Sequence, residues 1–297
     1  MRKILFFLAG ICAIVLVLKL IPVTLQKESI IRNKFEYVDQ LIGDPQSWKK
    51  WYTPVKGLCS KDPSACSFEN GNGDKAFSVM IPGGHIKVEL LQGLNYMIDL
   101  SLPEGSSDFI LGILPGEMMK DAKVVYSYKT NLLARLFPFV ATNNITDALI
   151  NDLKLFLEDS RLFYGFNIRV APPVGNGLIV KQVVVPKSMR FQYVKNTFQQ
   201  LEHYINSDTS NQALANSISY IPARKDSVEL IVGIVMHKSI AGNDSIRFMQ
   251  IPVGQQLLVA DFEGFYGEKV NVYTAMARYM ADHNIAGRAG MYESFAP

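Results

Sequence analysis

Between Ala76 and Lys129, glycine and proline turns cut the chain into short segments of strand composition. The segments are Ala76–Ile81, His85–Leu91, Tyr96–Leu102, Asp108–Leu114 and Lys123–Lys129. Pro82-Gly83-Gly84, Gln92-Gly93, Pro103-Glu104-Gly105 and Pro115-Gly116 separate them. Such spacing predicts an antiparallel meander. His85-Ile86-Lys87-Val88-Glu89-Leu90 and Val125-Tyr126-Ser127-Tyr128 alternate polar and apolar side chains, so one face of the sheet is wet. The meander ends in a predicted helix with Thr146 as N-cap and Asp147 in the first turn. Leu149, Leu153, Phe156 and Leu157 lie on one stripe of it. A curved sheet followed by a long amphipathic helix makes a grip with a cavity between the two. Ahead of the meander, Ser29–Leu41 starts extended and turns helical, Asp44-Pro45 breaks the chain, and Gln46–Trp51 resumes a short helix.

The whole chain has 297 residues, a length that suits two domains. With 48% hydrophobic and 19% charged residues it can bury real cores, which excludes intrinsic disorder. A net charge of +3 without a basic run argues against a dedicated nucleic-acid binder. Ala171-Pro172-Pro173-Val174-Gly175-Asn176-Gly177 reads as a linker. Beyond it come a strand at Leu178–Val185 and a helix at Met189–Asn206, with Phe191, Val194, Phe198, Leu201 and Ile205 on one stripe. A hairpin of Ser217–Ala223 and Val228–Met236 follows, turning at Arg224-Lys225-Asp226. Strand Gln256–Phe262, helix Glu268–Asn284 and strand Gly290–Phe295 complete a second round. Two β-α-β-β units in tandem would leave a groove between their halves. The expected class is α+β.

At the N-terminus, Ile4 to Leu18 is an uninterrupted apolar run, followed past Lys19 by Leu20, Ile21, Pro22 and Val23. If Lys19 snorkels, residues 4–23 reach the roughly 20 residues that span a bilayer. The expectation is a single-pass membrane anchor over residues 1–24, with the remainder on one side of the membrane, leaning extracytoplasmic. A cleaved signal peptide is the alternative, although no clean Ala-x-Ala site follows. Cys12 sits in Leu8-Ala9-Gly10-Ile11-Cys12, where bulky Ile11 spoils a lipoprotein reading. Cys59 and Cys66 bracket a loop of turn formers and are a disulfide candidate; two unrelated thiols are the alternative.

Phe35-Glu36-Tyr37-Val38-Asp39 followed by Gly43-Asp44-Pro45-Gln46-Ser47-Trp48-Lys49-Lys50-Trp51 resembles the opening of the polyketide-cyclase-like, START-related (SRPBCC) helix-grip domains. The stretch Ala148–Glu158 resembles that family's C-terminal helix. The likeness covers residues 25–160 and implies an apolar ligand between sheet and helix. An anchor ahead of such a domain is similar to the arrangement in bacterial members. Trp48 and Trp51 themselves read as plugs of one end of the core.

Further on, Gly264-Phe265-Tyr266-Gly267, Val272-Tyr273-Thr274-Ala275-Met276 and Gly287–Phe295 resemble the second half of GyrI-like small-molecule-binding domains. This fold is also the effector-binding part of AraC-type activators. The likeness covers residues 161–297, but no helix-turn-helix pattern precedes it. It implies a pocket in which Glu293 faces an organic cation, with Tyr266, Tyr273, Tyr220 and Tyr292 as aromatic surroundings. Strand alternation puts Glu293 and Tyr292 on opposite faces, so only one of them can point inward.

His85, His203, His237 and His283 are scattered, and neither a nucleophile elbow nor a phosphate loop is present. No cofactor or metal is therefore called for. The expected function is reversible binding of small hydrophobic, amphipathic or cationic molecules. A hydrolase using Glu293 with Tyr266 or Tyr273, or an interaction protein whose pockets are filled, are the alternatives.

Overall fold

The alternating segments of the first half pair into one seven-stranded antiparallel sheet. The computed structural model describes residues 2–71, 76–136, 145–206, 213–224, 226–287 and 292–295. It divides into two units, Met1–Gly165 and Phe166–Pro297. The first unit begins with α1 (Arg2–Leu20), β1 (Pro22–Ile31), α2 (Phe35–Gly43), α3 (Trp48–Trp51) and α4 (Thr53–Lys61). Strands β2 (Ser67–Asn70), β3 (Ala76–Ile81), β4 (Gly84–Leu90), β5 (Asn95–Leu102), β6 (Gly105–Pro115) and β7 (Ala122–Asn131) follow. Helices α5 (Leu132–Leu136), α6 (Ile145–Glu158) and α7 (Ser160–Tyr164) close it. The sheet order is β1-β7-β6-β5-β4-β3-β2, so the first strand docks against the last of the meander.

The inward side chains of these strands, among them Val79, Ile86, Ile98, Leu100, Leu111 and Val124, are fully buried with Leu149 and Leu153 of α6. This is a helix-grip architecture. One of its ends is closed by aromatic rings: Trp48 lies 4.7 Å from Trp51 and 5.8 Å from Tyr52 between centroids. The indole N–H groups donate to the carbonyls of Ile42 (3.1 Å) and Leu41 (3.3 Å). Those carbonyls belong to the last turn of α2, where no intrahelical donor remains, so the plug satisfies the helix end that it covers. Thr146 is not an N-cap. It sits inside the first turn of α6, buried, with its hydroxyl 2.8 Å from that of Ser107. Cys59 of α4 and Cys66, just before β2, form a disulfide with Cα atoms 5.6 Å apart.

The membrane anchor is corrected. Among the described residues no helix is long and apolar enough to cross a membrane. The expectation needed residues 4–23 as one helix, but α1 ends at Leu20, and Pro22 begins β1 in register with Asn131. The uninterrupted apolar stretch Ile4–Leu18 rises only about 22 Å at 1.5 Å per residue, against a hydrocarbon core of about 30 Å. A single-pass membrane location is therefore not supported.

The second unit contains β8 (Ile168–Ala171), β9 (Gly177–Pro186), α8 (Arg190–Asn206), β10 (Ala213–Arg224) and β11 (Ser227–Met236). It continues through β12 (Arg247–Gln250), β13 (Leu257–Ala260), α9 (Lys269–Asp282) and β14 (Glu293–Phe295). A five-stranded sheet runs β12-β9-β11-β10-β14. Leu201 and Ile205 of α8 pack with Ile179, Leu230, Val232 and Ile234 of the strands. The helix stripe is shorter than expected, because Phe191 is exposed and meets the Tyr266 ring instead.

β9-α8-β10-β11 is one complete β-α-β-β unit. The second repeat differs from expectation among the described residues. β8, which begins before the anticipated linker and takes in Ala171, captures β13 in a separate two-stranded sheet. β14 attaches to β10 through three residues, Asn216↔Phe295, Ser217↔Ser294 and Ile218↔Glu293. Among the described residues no second hairpin therefore faces the first, and no groove between two equal halves is formed.

The disulfide closes a loop with a sequence separation of 7, which restricts the unfolded chain. Replacing Cys59 and Cys66 together by serine is expected to cost about 2–3 kcal/mol, read as a lower urea midpoint. Trp48→Ala empties the plug and is expected to cost about 3–5 kcal/mol in the same measurement.

Candidate functional site

Tyr266 ends the loop before α9, and Lys269 and Tyr273 follow on that helix. The spacings of three and four residues bring all three to one face. β14 starts at Glu293, opposite Ile218 of β10. Glu293 Oε1 accepts from Lys269 Nζ at 2.5 Å and from the Tyr273 hydroxyl at 2.5 Å. Lys269 Nζ also donates to the Tyr266 hydroxyl at 2.5 Å and lies 3.7 Å from the centre of that ring. The Glu293 side chain is 14% exposed and that of Lys269 25%, so the pair is largely withdrawn from water. A carboxylate at such a depth needs both a counter-charge and hydrogen-bond donors, and this one has them.

These groups border a cavity of about 280 Å³. Ile218 and Val228 of the sheet supply apolar lining, Tyr266 and Tyr273 supply rings, and Lys187 and Arg190 complete the lining. Lys187 belongs to the turn after β9, and Arg190 is the first residue of α8. The Arg190 guanidinium stacks 4.7 Å from the Phe191 ring, and its Nε is buried without a hydrogen-bond partner among the described residues. Phe191 in turn meets Tyr266 edge-on at 5.7 Å. Burial pushes the Tyr273 hydroxyl above the usual tyrosine range, and its hydrogen bond to Glu293 and the charge there add to the rise. Tyr273 thus keeps its proton and donates a hydrogen bond to the carboxylate.

Of the anticipated residues, the structure brings Glu293, Tyr266 and Tyr273 together. Tyr292, just before β14, is 45% exposed and not part of the lining. Tyr220 lies on β10 in register with Leu230, but its side chain falls outside the described residues. So do residues 288–291 of the Gly287–Phe295 motif. Sequence reasoning missed Lys187, Arg190 and Lys269. The signal for Lys269 was its place between two tyrosines already singled out. For Lys187 and Arg190 it was a basic pair three residues apart at a predicted helix start.

The first unit has a smaller depression of about 140 Å³ beside Lys50, Trp51, Lys56 and Asp152. Asp152 there caps α4 by accepting the Thr53 N–H at 2.9 Å, which is a structural duty. Elsewhere in this unit, Asp147 accepts from Tyr126 at 2.7 Å and from Lys27, and Asp39 accepts from the Tyr96 hydroxyl. Among the described residues no group of three or more His, Cys, Asp or Glu side chains could hold a metal ion.

No family model matches the chain. No curated protein matches it either. Among solved structures, the chain is similar to a START superfamily protein from Mycobacterium smegmatis, at 10% identity and a TM-score of 0.31. That match covers 46% of this chain and 97% of the other. It is similar also to norcoclaurine synthase from Thalictrum flavum in complex with dopamine and hydroxybenzaldehyde. There the identity is 11%, the TM-score 0.28, and the coverage 45% of this chain and 85% of the other. A third is the protein XoxI from Bacillus cereus, at 14% identity and a TM-score of 0.30, over 46% of this chain and 96% of that one. These START and polyketide-cyclase-like neighbours fall on the first half of the chain. At such identities and TM-scores they carry no argument about activity. The GyrI-like likeness of residues 161–297 is not confirmed by them.

The raised Tyr273 pKa has a consequence for stability. Above pH about 10 an unfolded tyrosine sheds its proton while the folded Tyr273 keeps it, so this residue makes stability fall as pH rises. Tyr273→Phe is expected to flatten the decline between pH about 10 and about 11, measured by denaturant unfolding of matched samples.

Proposed function

We propose that this chain is a small-molecule-binding protein whose site is the cavity around Glu293, Tyr266 and Tyr273 in the second unit. The observation that carries the reading is the convergence of rings, apolar sheet residues and charged side chains on one concavity of about 280 Å³. That volume sits at the small end of ligand sites, which run to about 1,000 Å³. An amphipathic molecule fits the lining: Ile218, Val228 and the tyrosines face its apolar body, and the charged groups face its polar end. The GyrI-like expectation of a bare carboxylate waiting for an organic cation has less support, because Lys269 already neutralises Glu293. The helix-grip unit is a second place for an apolar ligand by its architecture alone.

One observation favours a hydrolytic reading as the runner-up. Tyr273 donates to Glu293 at 2.5 Å, which pairs a general base with a proton donor. Lys269 on the same oxygen weakens it, since two donors already occupy the oxygen that would take the substrate's proton.

Titration of the full chain with dansylamide, a neutral aromatic probe, tests the binding reading by fluorescence. Saturable binding is expected, weakened about five-fold or more by Tyr266→Ala, which removes one wall while the urea transition is retained. No saturable binding, or binding indifferent to Tyr266→Ala, would overturn the assignment of this cavity and leave an interaction protein as the better description.

A further inference from the structure

The lining of the second-unit cavity has an electrical sign opposite to the one that Glu293 alone would suggest. Three cationic side chains, Lys187, Arg190 and Lys269, line it against a single carboxylate. That carboxylate is held by Lys269 and Tyr273 through one oxygen, Oε1. Arg190 carries the planar donor fork among them; its Nε is buried, out of reach of the cavity, and has no hydrogen-bond partner among the described residues. The acceptor that matches the terminal N–H groups of a planar guanidinium best is a carboxylate or similar oxyanion. The ring of Phe191, 4.7 Å from the guanidinium, holds the fork in place but offers its N–H groups no lone pair.

From this cavity we propose that the ligand is an organic acid: an aromatic or otherwise apolar body carrying one carboxylate that accepts from Arg190, with Lys187 adding to the positive field. This deepens the binding reading above and rests on it. The body lies against Ile218, Val228, Tyr266 and Tyr273, while the acid group engages the basic edge formed by the β9–α8 turn and the start of α8. In this arrangement Glu293 is not a ligand contact. It orients Lys269 and Tyr273, and it works against anions that do not reach Arg190.

A matched set of probes tests the sign of the site. Dansylglycine, dansylamide and dansylethylenediamine share one aromatic body and carry an anionic, neutral and cationic tail respectively. The full chain is expected to bind dansylglycine about ten-fold tighter than dansylamide, and dansylethylenediamine more weakly than either. Arg190→Gln is expected to remove most of the dansylglycine preference, about five- to thirty-fold, with little change for dansylamide. Should Arg190→Gln fail to fold, Lys187→Gln must reduce the same preference by a few-fold, and raising the salt concentration must shrink it in the unaltered protein. Binding of all three probes with equal affinity, or tightest binding of dansylethylenediamine, would overturn the acid assignment while leaving the binding site itself standing. Failure of dansylamide and dansylglycine alike would remove both.

Discussion

The ion pair between Lys269 and Glu293 is the contact on which the candidate site depends. β14 joins its sheet through three register pairs, and among the described residues of α9 only Val272 and Ala275 are buried. Neither element is strongly anchored by packing. The Lys269–Glu293 contact, reinforced by the Tyr273 hydroxyl, fixes the start of α9 against the start of β14. A pair this far withdrawn from water contributes little net stability, because desolvation offsets the attraction. What it contributes is position: it sets the distance between the start of α9, with Tyr266 just before it and Tyr273 on it, and the sheet at Ile218.

The first unit uses its buried polar groups differently. The indoles of Trp48 and Trp51 finish the end of α2, Asp152 caps α4, and Asp147 gathers Lys27 and Tyr126 at the first turn of α6. Each of these contacts completes an element or ties a strand to the closing helix. The charged residues of the second-unit cavity do not share this pattern. Arg190 opens α8 and lines the cavity, and its buried Nε has no partner among the described residues.

Local pattern made much of this molecule readable. The glycine and proline punctuation placed the strands of the meander, since each turn needs its own backbone conformation and the alternation between turns leaves one face to bury. The Trp48–Trp51 spacing announced a plug, and the periodicity of Leu149, Leu153 and Leu157 announced the closing helix. Reading failed where a distant partner decided the outcome. Pro22 and Val23 looked like the tail of an apolar helix, yet they open a ten-residue strand, Pro22–Ile31, that alternates in burial beside β7. Ile168–Ala171 looked like the approach to a linker until β13 paired with it. In both cases the local sequence admits two states and hydrogen bonding to a remote strand selects one.

The sequence by itself determined an α+β chain with an antiparallel meander, a gripping helix, one β-α-β-β unit, and a carboxylate among tyrosines near the C-terminal end. The elements follow from side-chain period and turn chemistry, which are local; the carboxylate among tyrosines was what the GyrI-like resemblance implied. Only the tertiary structure decided that the apolar start is too short a helix to span a bilayer, that the second repeat is split between two sheets, and that Glu293 is already paired. It alone placed Lys187 and Arg190 beside a helix some 80 residues further along the chain. Charge balance in a cavity depends on which side chains converge there, and convergence is a property of the fold rather than of any segment of the sequence.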